Sequence, residues 1–327
     1  MNKFLSNKNI LILGGSGFIG TNLLILLRKK GYKNITATYF TKKFFFKVIG
    51  VKYLKIDLRV SKNIDKLTKT ADIVFMLAAV SSGAKIIEKN PLEHFSPNVR
   101  LNLDAIEKSY NNDVKKFIFV SSNTVYPDKK KSMTEQDINY QLFSKYYIVG
   151  WMKIFSEIVC NIYANKIHDK KMDILIVRPS NLYGPFDKFS YSKSKVVAAL
   201  IRKFYEGKKP IEIWGDGKDL KDFLYIEDFC ESLIKVVSRK KHFEIINICA
   251  GKSVKIQNVI KILIKKFNIK NKDIYNNLDQ PSMIPVRLMS NQSLIKNYKV
   301  KHRFDILKGL EKTIEWYKQN YTTYNRF

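Results

Sequence analysis

The chain has 327 residues, 45% hydrophobic and 13% aromatic, which is enough to bury a large core and leaves no segment with the low hydrophobicity of a disordered region. Lys plus Arg outnumber Asp plus Glu by 59 to 29, but the lysines are spread along the whole chain without an arginine-rich stripe, so the charge reads as solubility and no nucleic-acid or membrane partner is expected. Cys160, Cys230 and Cys249 are odd in number and far apart, and His94, His168, His242 and His302 lack ligand spacing, so neither a disulfide framework nor a metal site is expected and a reducing cytoplasm fits.

In chain order, residues 10–13, 35–39, 53–56, 73–77, 117–120 and 174–177 are short apolar runs that read as buried strands, with helical patterns between most of them. That alternation predicts an α/β fold with a parallel sheet and helices on both faces. Beyond Asn181 helical patterns dominate, at 195–205, 226–237, 254–267 and 305–319. The expected division is a dinucleotide-binding domain over 1–182 and a smaller, mostly helical substrate domain over 183–327, interleaved because 244–248 reads as one more core strand. The apolar stretch 10–27 is not a secretory signal, since Gly14, Gly15, Gly17 and Gly20 interrupt it, and no other run is long enough to span a bilayer.

Gly14-Gly15-Ser16-Gly17-Phe18-Ile19-Gly20 follows the first strand and opens a helix. In that setting glycines allow a tight turn and let backbone amides approach a pyrophosphate, which the helix N-terminus favours. NAD-selective folds end the second strand in an acid that takes the ribose 2′-hydroxyl. Here Tyr39-Phe40-Thr41-Lys42-Lys43 stands instead, so Thr41 and Lys42 point to a 2′-phosphate and NADP(H) is expected over NAD(H), the alternative. The same lysines also read as solvated charges.

With Asp57-Leu58, Leu77-Ala78-Ala79, Ser121-Ser122-Asn123-Thr124-Val125-Tyr126-Pro127, Arg178-Pro179-Ser180-Asn181-Leu182-Tyr183-Gly184-Pro185, Trp214-Gly215-Asp216-Gly217 and Lys221-Asp222-Phe223-Leu224-Tyr225 added to the glycine turn, the chain resembles the extended short-chain dehydrogenase/reductases. Among these nicotinamide-dependent epimerases and dehydratases it is most similar to the GDP-fucose synthases. The resemblance implies a Rossmann-type doubly wound sheet, a homodimer through the long helices around Leu101 and Lys153, and chemistry on a nucleotide-diphosphate sugar for surface-polysaccharide synthesis. It implies cofactor contacts from Gly14, Ser16, Gly17, Phe18, Ile19, Gly20, Asp57, Leu58, Leu77, Ala78, Ala79, Ser121, Lys153 and Pro179. It implies substrate contacts from Ser122, Asn123, Asn181, Lys195, Lys203, Lys221 and Arg287. Plainer readings stand beside these: Asp57 caps the next helix, Ser122 ties a strand end to a turn, and each lysine is a surface charge. Trp214 reads as a core residue rather than a stacking platform.

The family's proton-transferring Tyr-x-x-x-Lys pair is altered, because Val149 stands four residues before Lys153. Tyr146 and Tyr147 are the nearest phenols. On a continuous helix Tyr146 shares a face with Lys153 two turns away, whereas Tyr147 points elsewhere, and an unwinding at Gly150 would bring either closer. Tyr191-x-x-x-Lys195 fits the bare spacing in the wrong segment. Asn123 and Thr124 replace the acid pair of the family's dehydratases, which argues against 4,6-dehydration. Thr124 and Lys195 replace the Cys and His of the GDP-fucose synthases, which argues against double epimerisation at carbons 3 and 5. Reduction of a 4-keto sugar or 4-epimerisation remains, with Ser122, Tyr147 or Tyr146, and Lys153 as the catalytic candidates. A dinucleotide binder without chemistry is the alternative.

Overall fold

The computed structural model describes residues 4–40, 46–80, 90–191, 194–280 and 284–324. Seven parallel strands form the main sheet: β1 (Ile10–Leu13), β2 (Ile35–Tyr39), β3 (Lys52–Lys55), β4 (Ile73–Met76), β5 (Lys116–Val120), β6 (Asp173–Pro179) and β10 (Phe243–Ile248), in the order β10-β6-β5-β4-β1-β2-β3. The chain starts in the middle and winds outward in both directions, so it reverses between β1 and β4, and ligands of such sheets bind outside the strand C-termini at that reversal. Every residue of β1, β4 and β5 is buried. Their neighbours alternate between two cores: Ile10 and Ile12 join Leu23, Leu27 and Phe229 on one face, whereas Leu11 and Leu13 join Leu101, Ile106 and Val159 on the other. Continuous apolar strands are what a sheet covered on both faces requires.

Helices α1 (Phe18–Lys29) and α6 (Ile226–Val237) contribute to the first core, and α2 (Ser61–Thr68), α3 (Pro91–Asn111) and α4 (Tyr147–Asn165) to the second. A third core gathers α5 (Val196–Glu206), α7 (Ile256–Phe267) and α9 (Ile306–Tyr324) around β8 (Ile211–Trp214) and β9 (Leu220–Tyr225). This part carries more strand than its apolar runs suggest. β9 is flanked by β11 (Ser253–Lys255) and β13 (Val286–Arg287) and also pairs with β7 (Asn181–Tyr183), while β8 pairs with β12 (Ile274–Asn277). Most of these strands are two to four residues long, too short for a periodic signal. The helical pattern expected at 254–267 accordingly begins only at Ile256, because Val254 and Lys255 pair with β9. Among the described residues no helix is long and apolar enough to cross a membrane.

Candidate active site

The glycine turn sits where β1 delivers the chain to α1, at the centre of the sheet. Gly14 has φ +90°, and a Cβ there would lie 2.7 Å from the backbone of Ala78, so only glycine fits between the ends of β1 and β4. A side chain at Gly20 would run into the carbonyl of Gly14. Thr38 ties the turn to β2, its hydroxyl accepting from Gly14 N and its carbonyl from Gly15 N, both at 2.9 Å. No side chain caps α1 and no acid lies in its first turn. The amides after Ser16 and Gly17, at Phe18, Ile19 and Gly20, therefore present an uncontested anion site. Leu77, Ala78 and Ala79 continue from β4 beside it, and these residues fit a dinucleotide pyrophosphate.

Beyond β3, Leu58 is buried and Asp57 is engaged. Its Oδ1 accepts from Arg59 N and Nε, both at 2.9 Å, and its Oδ2 from Arg59 Nη2 at 2.7 Å. The Arg59 guanidinium bonded to it holds the Asp57 carboxyl below its usual range. Asp57 does not cap α2, which starts from Val60 without a side-chain cap. Thr41 and Lys42 lie outside the described residues.

The end of β5 is the hub of the site. Lys153 donates from Nζ to the Val120 carbonyl at 2.9 Å and stands 4.7 Å from the Phe119 ring centre. Burial pushes its ammonium down to about 8, with Glu157 and Cys160 opposing the shift. Ser122 accepts from Thr124 N at 3.2 Å, so it does tie the strand end to a turn while keeping its own O–H to donate. Ser121 instead turns its hydroxyl to Glu157. Asn123 and Thr124 are buried in that turn. Pro179 closes β6 opposite Ile248.

No unwinding occurs at Gly150: α4 is a continuous helix from Tyr147, preceded by a single turn at Ser144–Tyr146. Gly150 serves close approach, since a Cβ there would lie 2.7 Å from both the Thr124 carbonyl and Leu142 Cδ1. Tyr147 is 52% exposed, its ring 6.1 Å from that of Trp151. Tyr146 is half-buried, and burial raises its phenol pKa. The two phenols thus differ in their surroundings.

Behind this surface lies a polar network that spacing alone does not disclose. Arg178 bonds Glu157, the Tyr126 hydroxyl and the Glu135 carbonyl, and Tyr126 donates to Asn247 Oδ1 at 2.6 Å. His94 is buried as well. It is 7% exposed, burial and the Lys153 charge lower its pKa, and its Nδ1 has no partner. Its lone position in a helical pattern gives no signal of that.

On the substrate side, β13 places Arg287 beside Lys221 of β9. Arg287 is 2% exposed and donates from Nη1 to Pro127 O at 2.9 Å, while its Nε and Nη2 have no partner. Burial pushes it down to about 10. Lys221 is also lowered by burial, partly offset by Asp219 at 3.1 Å. Asn181 is tied to the Asp222 carbonyl at 3.0 Å, and Lys195 is an exposed residue at the start of α5. Lys203 is engaged by Glu212, 2.7 Å from its carbonyl, and lies 5.4 Å from the Trp214 ring centre. Trp214 is not a core residue. It is 45% exposed at the end of β8, its indole N–H on Glu212 at 3.0 Å. Among the described residues no His, Cys, Asp and Glu group is arranged to hold a metal.

Residues 10–249, from β1 through the last strand of the main sheet, match the NAD dependent epimerase/dehydratase family. The chain belongs to that family. Within it, the chain is 25% identical over 317 residues to GDP-L-colitose synthase of Yersinia pseudotuberculosis, covering 94% of this chain and 97% of that one. It is 26% identical over 327 residues to GDP-L-fucose synthase of Sinorhizobium fredii, covering 97% of each. The fold is similar to that of MoeE5 in complex with UDP-glucuronic acid and NAD, with a TM-score of 0.84 at 23% identity over 95% of this chain and 99% of that one. The family acts on nucleotide sugars with a nicotinamide cofactor, and this member is an enzyme of that family in sequence and fold.

Proposed function

We propose that the protein is a nucleotide-sugar oxidoreductase working at carbon 4, reducing a 4-keto sugar carried on a nucleotide diphosphate, with NADP(H). The observation that carries this reading is Lys153 anchored on the Val120 carbonyl at the end of β5, two residues before Ser122, in a chain similar to GDP-L-colitose synthase and GDP-L-fucose synthase. When bound, the nicotinamide supplies the hydride for carbon 4. Ser122 donates its free O–H to the ketone oxygen. Tyr146, a half-buried phenol, gives its proton to that oxygen as the charge develops. Lys153, still largely protonated at neutral pH, holds positive charge close by. Arg287, with two unpartnered nitrogens, and Lys221 hold the diphosphate, for which a guanidinium fork is suited. The glycine turn and α1 hold the cofactor pyrophosphate.

Asn123 and Thr124 supply no carboxylate for dehydration, and Thr124 no base for epimerisation at carbons 3 and 5. The protein acts as a homodimer in the cytoplasm, with GDP as the nucleotide and surface polysaccharide as the destination. A second reading, a dinucleotide binder without chemistry, is favoured by Val149 in the tyrosine position. NADPH oxidation by the purified protein on adding a GDP-4-keto-6-deoxy sugar decides between them. Turnover that is lost in Tyr146→Phe and retained in Tyr147→Phe supports the reductase. Tight NADPH binding without turnover on several keto sugars supports the binder.

A further inference from the structure

The ends of β2 and β3 lie side by side: Tyr39 pairs with Lys55, and Ile56 N donates to the Tyr39 carbonyl at 2.8 Å. Just beyond them Phe40 and Arg59 meet, the guanidinium carbon 4.8 Å from the ring centre. Phe40 is the first residue past β2, the position from which an acid takes the ribose 2′-hydroxyl in NAD-selective folds and near which an arginine accommodates a 2′-phosphate. Arg59 reaches that place from the connection between β3 and α2. It is also held there. Asp57 takes Nε and Nη2 of the guanidinium and the backbone N–H of the same residue, and Phe40 covers one face. None of the described residues bonds Nη1, and the Arg59 side chain is 55% exposed, so the free edge is open to a ligand.

An exposed ion pair within two residues contributes little to stability. What it does is orient a planar donor that would otherwise be mobile, and it neutralises a carboxylate that would repel a phosphate. We propose that Arg59 is the residue that selects the 2′-phosphate of NADP(H), with Asp57 and Phe40 as its positioning residues. Asp57 then acts through Arg59. This deepens the NADP(H) reading above and rests on it.

Fluorescence titration of the full chain with NADPH and NADH tests it, together with 2′,5′-ADP against 5′-AMP as probes for the phosphate alone. In the wild type NADPH binds more tightly than NADH. Arg59→Gln weakens NADPH and 2′,5′-ADP by about tenfold or more, as loss of a charge-assisted bond implies, and moves NADH and 5′-AMP by less than about twofold. Arg59→Lys keeps the charge without the fork and falls between. If the wild type prefers NADPH and Arg59→Gln keeps the same ratio, or weakens all four ligands alike, Arg59 is not the selector while the NADP(H) reading stands. If the wild type binds NADH as tightly, the NADP(H) reading falls and this inference with it. Melting temperatures of both variants identify a folding defect, and Arg59→Lys carries the comparison if Arg59→Gln does not fold.

Discussion

Arg178 grips Glu157 in a buried two-bond fork, Nη2 to Oε2 at 2.6 Å and Nε to Oε1 at 3.0 Å, with side chains 1% and 6% exposed. One helical turn separates Glu157 from Lys153, so this pair, together with the Ser121 hydroxyl, fixes the helix that carries Lys153 to the end of β5. Removing one partner leaves a charge buried and alone. Glu157→Leu is therefore expected to lose about 3–5 kcal/mol in urea unfolding, and Glu157→Leu with Arg178→Met to lose less than the single change. A double loss equal to the sum of the singles would contradict the pairing.

Gly150→Ala sets helix propensity against close packing. Propensity alone favours Ala by about 1 kcal/mol. The added methyl lies 2.7 Å from the Thr124 carbonyl, part of the turn that also holds Ser122. Packing wins where backbone is the obstacle, so the variant is expected to melt at a lower temperature and to lose sugar turnover more than cofactor affinity. A raised melting temperature would show that the turn gives way freely.

Lys153 makes the site pH-dependent. With its ammonium held at about 8, kcat/KM for reduction is expected to be flat below that value and to fall as pH rises through it. Stability moves the other way. The unfolded lysine titrates near ~10.4, so between ~8 and ~10.4 the unfolded chain binds more protons and this group's contribution rises with pH, its burial cost being complete below ~8. Lys153→Met is expected to remove both slopes, read from paired activity and unfolding series across that range.

Leu103 on α3 and Phe155, Ile158 and Ile162 on α4 are exposed apolar side chains on two adjacent helices. Charged substitution on that face, Ile158→Asp, is expected to convert the proposed homodimer to a monomer on sizing with light scattering without lowering the melting temperature. A wild-type protein that is already monomeric would remove the premise.

Much of the candidate site's local geometry was legible because its signals are local. The glycine turn is a run of seven residues whose steric demands, Gly14 against Ala78 and Gly20 against Gly14, are met within one turn and its neighbouring strand. Lys153 and Glu157 are one helical turn apart and readable as such. What surrounds Tyr146 and Tyr147 was not legible: one is partly buried ahead of the helix and the other is 52% exposed beside Trp151. Trp214 was misread for the same reason, since an apolar run at the end of a strand does not say whether anything covers its last residue.

By itself, then, the sequence determined the alternation of strands and helices, the glycine turn between β1 and α1 and the family, all of which rest on patterns within a few residues of one another. The tertiary structure decided which groups meet across long separations: Arg287 with Pro127, Asn247 with Tyr126, and Arg59 with Phe40. Those pairings depend on strand order and register, which bring β2 against β3 and β13 against β9. Burial then set the chemistry, because the same lysine or arginine is an ordinary cation in water and a perturbed one at Lys153 or Arg287, where desolvation disfavours its charge.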